Sequence, residues 1–267
     1  MITLLTDFGL SDYFVPAVKG VILTINPEVT IVDITHDMAA HDIQAAAFTL
    51  GACYRDFPSE TVHVVVVDPG VGSPRRAIIA SAGGYFFVGP DNGVFSFVYD
   101  RESNPRIFHI TNDQYFRHPV SATFHGRDVF APVAAHIASG IKPEEIGVEV
   151  DDYVRFEIPR PHAELIESKG MIEGRIIHID HFGNLVTNFT EAELKPDRIA
   201  PSTKMHIGGR EVGRFNAYFA EADAPGRDDL FAYRGSAGFW EIALWRRSAA
   251  ELIHARRGDE VILDLGI

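Results

Sequence analysis

A run of apolar residues at positions 61–67, Thr-Val-His-Val-Val-Val-Val, constrains the fold of this 267-residue chain more than any other segment. The run is rich in β-branched residues, which favour strands. Its nearly continuous apolar character is typical of a strand that is buried on both faces, as in parallel sheets with helices packed on either side. We therefore expect the first half of the chain to be built around this strand.

Strand and helix patterns alternate on both sides of that run. Short apolar segments predict strands at residues 2–5, 29–34, 77–81 and 85–88, and apolar periodicity or alanine content predicts helices at 13–25, 42–57 and 128–139. Asp128 is the predicted N-cap of the last helix. The alternation predicts an α/β domain over residues 1–158, with a mostly parallel sheet flanked by helices.

The sequence changes in character after residues 158–162, Ile-Pro-Arg-Pro-His, which we interpret as a linker. Short strands separated by turns are predicted at 170–179, 185–189, 204–207, 239–244 and 260–265, with a helix at 249–255. We expect a smaller β-rich, barrel-like domain over residues 165–267.

The charge balance and the cysteine content exclude several classes of protein. Lys and Arg number 24 against 37 Asp and Glu, a net charge of −13, which argues against a nucleic acid or an anionic membrane as the main partner. The single cysteine, Cys53, excludes an internal disulfide. Asp7 and Asp12 interrupt the first apolar residues too early for a signal peptide, so we expect a cytoplasmic protein.

Carboxylates follow several of the predicted strands. Asp7, Asp68 and either Asp33 or Asp37 stand at or near strand ends. The carboxyl ends of strands in an open parallel sheet line one crevice, which is where such folds bind ligands. Carboxylates gathered there suit a hydroxyl-rich ligand, a cationic ligand or a metal. The alternative is that each is a turn or cap residue.

Basic residues stand near two of the glycine-bearing turns. Arg75 and Arg76 follow Asp68-Pro-Gly-Val-Gly, which lacks the spacing of a phosphate-binding loop. His125, in Thr-Phe-His-Gly-Arg-Asp, precedes a predicted helix and is placed for acid–base work or anion binding. Each of the three also has a purely structural interpretation, as a salt-bridged, surface or packed side chain.

Two further segments have candidate ligand-binding chemistry. Residues 180–188, Asp-His-Phe-Gly-Asn-Leu-Val-Thr-Asn, combine an acid, aromatic rings and amides, a mixture that suits a nucleoside. A β-turn with an Asx cap explains the same residues equally well. The pairs His36-Asp37 and His41-Asp42 are a weaker candidate for a metal site, and no His-Glu-x-x-His motif occurs.

In their order and spacing, these motifs resemble the S-adenosyl-L-methionine (SAM) hydroxide adenosyltransferases, relatives of the fluorinases and chlorinases. The resemblance extends over nearly the whole chain. It rests on Thr-Asp-Phe-Gly at 6–9, Asp-Pro-Gly-Val-Gly at 68–72 with Arg75-Arg76, Gly-Pro-Asp-Asn-Gly at 89–93, Thr-Phe-His-Gly-Arg-Asp at 123–128, Phe-Gly-Asn at 182–184, and Gly235-Ser236 with Glu-Ile-Ala at 241–243.

The resemblance implies a fold, an activity and an assembly. It implies an α/β domain followed by a barrel-like domain, and a homotrimer with active sites between subunits. It implies hydrolysis of SAM to adenosine and L-methionine, without a cofactor or a metal. The catalytic set falls on Asp68, Arg75 and His125, and the sequence leaves open whether the neighbouring Arg76 takes the role of Arg75. The halogenating relatives carry a tyrosine at the first of these positions and lack the histidine, so this chain sides with the enzymes that use hydroxide.

The resemblance also assigns substrate contacts. Asp7 is expected at the ribose hydroxyls, and Asp180 and Ser236 at the methionine part. Asn184 and the segment from Ser236 to Glu241 are expected near the adenine, with Phe182 packing on its ring. The spacing from Asp180 to Phe182 is one residue shorter than in the fluorinase pattern.

The residues by themselves leave other functions open. A halide-using enzyme of the same superfamily would form a 5′-halo product. A sensor of SAM or adenosine would keep the pocket without turning over the ligand. A metal-dependent hydrolase would use the strand-end carboxylates as ligands.

Overall fold

The computed structural model describes residues 1–162, 170–223 and 229–266. The chain divides into two compact units, Met1–Ile158 and Pro159–Ile267. The predicted start of the second domain, at residue 165, lies outside the described residues.

The first unit is built on a seven-stranded sheet. Its strands are β1 (Ile2–Thr6), β2 (Ile31–Thr35), β3 (Val62–Val66), β4 (Ala77–Ala82), β5 (Tyr85–Pro90), β6 (Arg106–Ile110) and β7 (Gly147–Val150). Its helices are α1 (Phe14–Ile25), α2 (Ile43–Cys53), α3 (Ser96–Arg101), α4 (Ala131–Ala138) and α5 (Pro143–Ile146).

The strands lie in the order β2-β1-β3-β5-β4-β6-β7. Strands β2, β1, β3 and β5 are parallel, whereas β4, β6 and β7 continue the sheet by antiparallel pairing. This confirms the α/β class with helices packed on the sheet. Strands β6 and β7 and helices α3 and α5 were not predicted. In β7, at the sheet edge, the two central residues are exposed and the two end residues are half-buried, so the strand lacks the apolar run of a buried strand.

The two faces of the sheet explain why β3 is apolar throughout. Val64 and Val66 pack in one core cluster with residues of α1 and α4. Val65 and Val67 pack in the other, with residues of α2 and α3. Because successive side chains of a strand point to opposite faces, a strand between two helical layers needs apolar residues at every position.

The helix that ends in α4 begins earlier than predicted. A π-helical turn, Gly126–Phe130, precedes α4 and runs into it without a break. The expectation that Asp128 is an N-cap was therefore wrong, because Asp128 lies within this turn and its carboxylate pairs with Arg127. In contrast, Asp42 is the N-cap of α2 and accepts a hydrogen bond of 3.0 Å from the backbone N–H of Ala45.

The second unit is a nearly closed, barrel-like sheet. Its described elements are β8 (Met171–Ile179), β9 (Leu185–Thr187), β10 (Lys204–Ile207), β11 (Arg210–Val212), β12 (Phe215–Asn216), β13 (Leu230–Arg234), β14 (Trp240–Leu244), α6 (Ala249–Ile253) and β15 (Glu260–Asp264). Strand β8 pairs with β15 along its first half and with β9 along its second half. The sheet therefore bends at β8 and encloses a core that includes Trp240 and Phe189.

None of the helices in the described part of the chain has the length and apolarity that crossing a membrane requires.

Candidate active site

Strand β3 places Asp68 at its carboxyl end, and a tight turn brings the chain back to it. The turn is closed by backbone hydrogen bonds from Val71 to Asp68 and from Ser73 to Gly70. Gly72 has a φ of +78°, and a Cβ built there would overlap the carbonyl oxygen of Ala122. Glycine is thus required at this position by both the backbone conformation and the close packing.

Arg75 returns from this turn to form a fork with Asp68. Its Nε donates to Oδ1 at 2.9 Å, and its Nη2 donates to Oδ2. The side chains are 5% exposed for Asp68 and 11% for Arg75. The guanidinium also lies 5.3 Å from the centre of the Phe130 ring. A bidentate pair in a buried setting holds the carboxylate in one orientation.

The same guanidinium contacts His125. Nη2 of Arg75 lies 2.9 Å from Nδ1 of His125. Because arginine can only donate, Nδ1 must accept, and the neutral ring therefore carries its hydrogen on Nε2. Burial lowers the pKa of His125, the positive charge of Arg75 lowers it further, and the carboxylates of Asp68 and Asp128 oppose the shift. The remaining nitrogen of the neutral ring, Nε2, is thus a donor and cannot accept a hydrogen bond from water.

Arg76 is occupied elsewhere. Its Nε donates to Oδ2 of Asp91 at 2.8 Å, and its Nη1 and Nη2 donate to the Oδ1 and the carbonyl oxygen of Asp152 at 2.5 and 2.6 Å. The question of which arginine joins Asp68 is thereby answered in favour of Arg75. Arg76 instead connects the end of β5 with the segment that follows β7.

Asp68 and His125 line a cavity of about 290 Å³ in the first unit. Asp7 also lines it, and the backbone N–H of His41 donates to its Oδ2 at 2.9 Å. Aromatic rings form part of the wall, with ring centres 5.2 to 5.9 Å apart among Phe8, Phe14 and Phe124. These rings were not assigned a function from the sequence, although Phe8 and Phe124 stand inside the quoted motifs.

The other strand-end carboxylates do not join this cavity. Asp33 pairs with Lys19 at 2.6 Å and with Nε2 of His36 at 3.1 Å, on the exposed side of β2. Asp37 is exposed. In residues 1–162, 170–223 and 229–266, no group of three His, Cys, Asp or Glu side chains is arranged to hold a metal ion.

The second unit has its own cavity, of about 740 Å³. All the substrate-binding residues predicted for this half of the chain line it, namely Asp180, Phe182, Asn184, Ser236 and Glu241. Residues that were not predicted line it as well, among them Tyr233 and Phe219. Tyr233 faces Glu241 across the pairing of β13 with β14, so only the strand register would have revealed it.

Asp180 closes the turn at one side of this cavity. Its Oδ1 accepts from the backbone N–H groups of Phe182 and Asn184 at 2.9 and 2.8 Å, and its Oδ2 accepts from Nδ2 of Asn184 at 2.8 Å. The Asx-capped turn considered from the sequence is therefore present. It orients Asn184, whose buried Oδ1 has no hydrogen-bond partner among the described residues. The ring of Phe182 is 73% exposed and offers a flat apolar face.

Glu241 is a buried carboxylate in the same cavity. It accepts a hydrogen bond from the hydroxyl of Tyr233. Burial raises its pKa; the hydrogen bond from Tyr233 opposes this shift, and the charge of Asp180 adds to it. A Cβ at Gly235 would overlap the Glu241 side chain, which explains the glycine before Ser236. The cavity thus combines an aromatic face, an amide oxygen that no described residue binds and carboxylates, a set that suits a cationic ligand with a planar ring.

The two units match one class of protein, the enzymes that transfer the adenosyl group of SAM. Residues 2–147 match the SAM hydroxide adenosyltransferase N-terminal domain, and residues 174–262 match the C-terminal domain of the same proteins. The chain therefore belongs to the SAM hydroxide adenosyltransferase family.

Similar proteins include hydrolases and halogenating enzymes. The chain is 36% identical over 268 residues to the (R)-S-adenosyl-L-methionine hydrolase of Thermus thermophilus, covering 97% of each protein. It is 29% identical to a fluorinase of an Actinoplanes species, over 95% of this chain and 93% of that protein. An uncharacterized conserved protein from Thermotoga maritima has a similar crystal structure, with a TM-score of 0.88, 34% identity, and coverage of 98% of this chain and 99% of that one.

Proposed function

We propose that this chain hydrolyses (R)-S-adenosyl-L-methionine to adenosine and L-methionine. The observation that carries the proposal is the half-buried Asp68–Arg75–His125 cluster, of which Asp68 and His125 line the first cavity. The family membership and the hydrolase relatives support the same reaction. The substrate already contains a good leaving group, because its positively charged sulfonium sulfur departs as a neutral thioether.

The reaction requires an activated water and no acid for the leaving group. The oxygen of water forms a bond to the 5′ carbon of the ribose, and the bond between that carbon and sulfur breaks with its electron pair going to sulfur. The sulfonium becomes the neutral thioether of methionine, and one proton is released from the water. Bulk water has a pKa of about 15.7, so a neighbouring group must draw on that proton as the bond forms.

Asp68 is the acceptor for the water in this scheme. A carboxylate has about four lone-pair sites, and Arg75 uses one on each oxygen. Arg75 thus fixes the carboxylate, while the Nε2–H of His125 donates to one lone pair of the water and leaves the other to attack carbon. General-base assistance of this kind is worth roughly 10²–10⁴-fold in rate.

The remaining residues bind the substrate. Asp7 accepts hydrogen bonds from the ribose hydroxyls, and the Phe8, Phe14 and Phe124 rings exclude bulk water. In the second unit, the Phe182 ring stacks on the adenine and Asn184 Oδ1 accepts from a donor of the ligand. Asp180, Glu241 and Ser236 are placed for the methionine ammonium and neighbouring polar groups.

The proposal includes an assembly and a location. We propose a homotrimer in which the active sites form between subunits, supported by the family resemblance and by the division of the binding residues between two units. We also propose that the enzyme works in the cytoplasm without a cofactor, with the substrate as its small-molecule partner. The single cysteine is in keeping with a reducing compartment.

The test is product chromatography after incubation of the purified protein with each sulfonium epimer in halide-free buffer. Adenosine and L-methionine in equal amounts, unaffected by a chelator, are the expected products. Parallel reactions with added chloride or fluoride test the alternative suggested by the fluorinase relatives. A 5′-halo-5′-deoxyadenosine product would replace the hydrolase with a halogenating enzyme, and bound substrate that stays intact for hours would indicate a sensor.

A further inference from the structure

Asp128 is a fully buried carboxylate next to the Asp68–Arg75–His125 cluster, and it has no role in the proposed reaction. It is 0% exposed. Arg127 binds it bidentately, with Nε to Oδ1 at 2.7 Å and Nη2 to Oδ2 at 2.8 Å. Nη1 of Arg117 donates to Oδ1 at 3.0 Å, and the backbone N–H of Ser121 donates to Oδ2 at 2.9 Å. The carboxylate is therefore the centre of a network that joins two segments of chain.

One of these segments supports the turn that carries Asp68. Arg117 and Ser121 belong to the loop at residues 117–122, and the backbone N–H of Arg117 also donates to the carbonyl oxygen of Asp128 at 2.9 Å. The last residue of this loop, Ala122, lies directly against Gly72. Asp128 thus ties the loop that packs on the Asp68–Arg75 turn.

The other segment carries His125. Asp128 lies within the π-helical turn, Gly126–Phe130, that follows His125 directly. Its partner Arg127 lies 5.0 Å from the centre of the Phe124 ring, on the wall of the cavity. Gly126 in turn packs against Phe8 and against Val66 of β3.

We propose that Asp128 is a positioning residue for the Asp68–Arg75–His125 cluster, because its carboxylate ties the loop that supports Asp68 to the helical turn that carries His125. The proposal rests on the proposed function in that the cluster is taken to activate water. Asp128 itself touches no reacting atom. Its effect acts through the distance between Arg75 and His125 and through the direction in which Nε2–H points.

The charge of Asp128 acts on His125 as well. The charged groups that affect His125 are Arg75, Asp68 and Asp128, and the two carboxylates raise its pKa against the effect of burial and of Arg75. Replacement of Asp128 by Asn removes one of these carboxylates. It also places an amide NH₂ where an arginine now donates, which breaks the network without changing its volume.

The experiment compares Asp128→Asn and Asp128→Glu with Glu102→Gln. Glu102 is a matched control because its carboxylate also binds an arginine, Arg55, and a second donor, Tyr54, whose ring packs in the core cluster on the opposite face of the sheet. For Asp128→Asn we expect kcat to fall by about ten- to a hundredfold, because misplacement by about 1 Å costs up to that much. KM should stay within about threefold, and Asp128→Glu should recover part of kcat.

A pH profile separates positioning from general stabilisation. Because loss of the Asp128 charge lowers the pKa of His125 further, the acid limb of kcat should move to lower pH in Asp128→Asn and stay in place in Glu102→Gln. Glu102→Gln should lower Tm and leave kcat within about twofold. Unchanged kcat in Asp128→Asn at a temperature where it is folded, or an equal loss in Glu102→Gln, would overturn the proposal.

Two further measurements test the role of Asp128, one with a milder variant that is expected to fold and one that requires no turnover. Arg117→Ala removes one arm of the network at a side chain that is 46% exposed, and should lower kcat about three- to tenfold if the loop is held through Asp128. Long-range ¹H–¹⁵N spectra of His125 should show hydrogen on Nε2 in the native protein and a mixture of tautomers in Asp128→Asn. If the native protein releases no adenosine, the proposed function is wrong. Identical His125 spectra in the native protein and in Asp128→Asn would contradict the positioning role of Asp128 without affecting the proposed function.

Discussion

The hydrogen on His125 decides what this residue can do in the first cavity. Since Nδ1 accepts from Arg75 at 2.9 Å, only the neutral ring fits the cluster, and protonation of Nδ1 would set two cations against each other. Burial and Arg75 both lower the pKa of His125. We therefore expect the cluster to be assembled in neutral and mildly alkaline solution and to come apart in acid.

This predicts the pH dependence of the reaction. The value of kcat/KM should be constant above pH 7 and fall in acid, with a midpoint below the ordinary histidine pKa of 6.5. The measurement is an adenosine-release assay over a pH series. His136 is a suitable control, since burial also lowers its pKa and its ring packs on Tyr115 rather than in the cavity. A profile that is altered by His136→Gln, or a midpoint above 6.5, would contradict the assignment.

Asp68 is expected to act on the rate rather than on binding. Asp68→Asn should reduce kcat at least about a hundredfold, or about 2.7 kcal/mol of transition-state stabilisation, because an amide oxygen is a weak proton acceptor. Substrate affinity, measured by calorimetry, should change only a few-fold. Asp33→Asn is the matched control, because Asp33 is a carboxylate of the same sheet that also pairs with a basic residue, Lys19, but at the surface. Near-normal turnover in Asp68→Asn would refute the assignment.

Residue positions were predictable from the sequence where a motif keeps its members close together. Asp68 and the residues around Asn184 were identified in this way and line cavities, and Arg75 was identified with Asp68 and pairs with it. What each side chain contacts was not predictable. Arg76 binds Asp152, which is 76 positions away, and such partners depend on the path of the intervening chain. Asp33 was grouped with the strand-end carboxylates, but it lies in the middle of β2 and its carboxylate pairs with Lys19.

The turn after β3 requires a positive φ at Gly72 and also carries the proposed catalytic residue Asp68. Gly72 and Gly84 both adopt a positive φ, of +78° and +84°, but only Gly72 lies against another part of the chain. The pair separates the cost of the backbone conformation from the cost of displacing the loop that contains Ala122.

Gly84→Ala should lower the free energy of unfolding by about 1 kcal/mol, through its positive φ alone, and leave kcat unchanged. Gly72→Ala should cost about 2–3 kcal/mol, because overpacking against a backbone oxygen adds to the same conformational term. It should also reduce kcat, since the turn carries Asp68. Urea denaturation and initial rates measure the two effects. Equal losses of stability with full activity in both variants would contradict this account of the turn.

Strand β3 also carries a buried histidine that makes stability depend on pH. His63 is 0% exposed, its Nδ1 lies 2.8 Å from the hydroxyl of Thr3, and burial lowers its pKa to about 4. The folded state favours the neutral ring, whereas the unfolded chain takes up a proton near pH 6.5. Stability should be full above that pH and be lost progressively as the pH falls toward 4.

The difference between those two pKa values corresponds to about 3 kcal/mol when the titration is complete. Urea denaturation of the native protein and of His63→Leu at pH 7.5 and pH 5 measures the part that His63 contributes. The variant should be less dependent on pH over this interval. The same dependence in both proteins would assign the acid lability to other groups.

Element boundaries show where sequence patterns lose their information. The apolar strands at the centre of the first sheet were predicted within a few residues, because burial on both faces leaves a continuous signal. The antiparallel edge was missed, since β6 and β7 carry charged and exposed residues. The π-helical turn at Gly126–Phe130 was missed because apolar periodicity does not distinguish such a turn from the α-helix that it joins.

The proposed trimer predicts that two inactive or weakly active variants regain activity when their subunits are mixed, which a protein with independent subunits would not do. Asp68→Asn inactivates the first unit, and Asn184→Ala weakens binding in the second. If a site combines units of neighbouring subunits, every mixed trimer contains one site that is intact on both sides. An equal mixture after subunit exchange should then recover about a quarter of native activity.

The controls are the two single variants, each taken through the same subunit-exchange procedure, and both should stay inactive or weakly active. Light scattering coupled to gel filtration measures the mass of the assembly. A mixture no more active than the average of its parents, or a monomeric mass, would contradict sites shared between subunits. The fold class and the family of the whole molecule were predictable from the sequence, but its assembly is a property of surfaces that motifs do not describe.

Asp68, which lines the cavity, follows a strand whose own side chains are buried on both faces of the sheet. The backbone there is anchored by the valines of β3, which pack into both core clusters. A different side chain at position 68 would meet the same β3 backbone, but it would have to pair with the guanidinium of Arg75 or leave that charge unpartnered. The cost of changing the chemistry at this site therefore falls on the ion pair with Arg75 rather than on the two cores that anchor the strand.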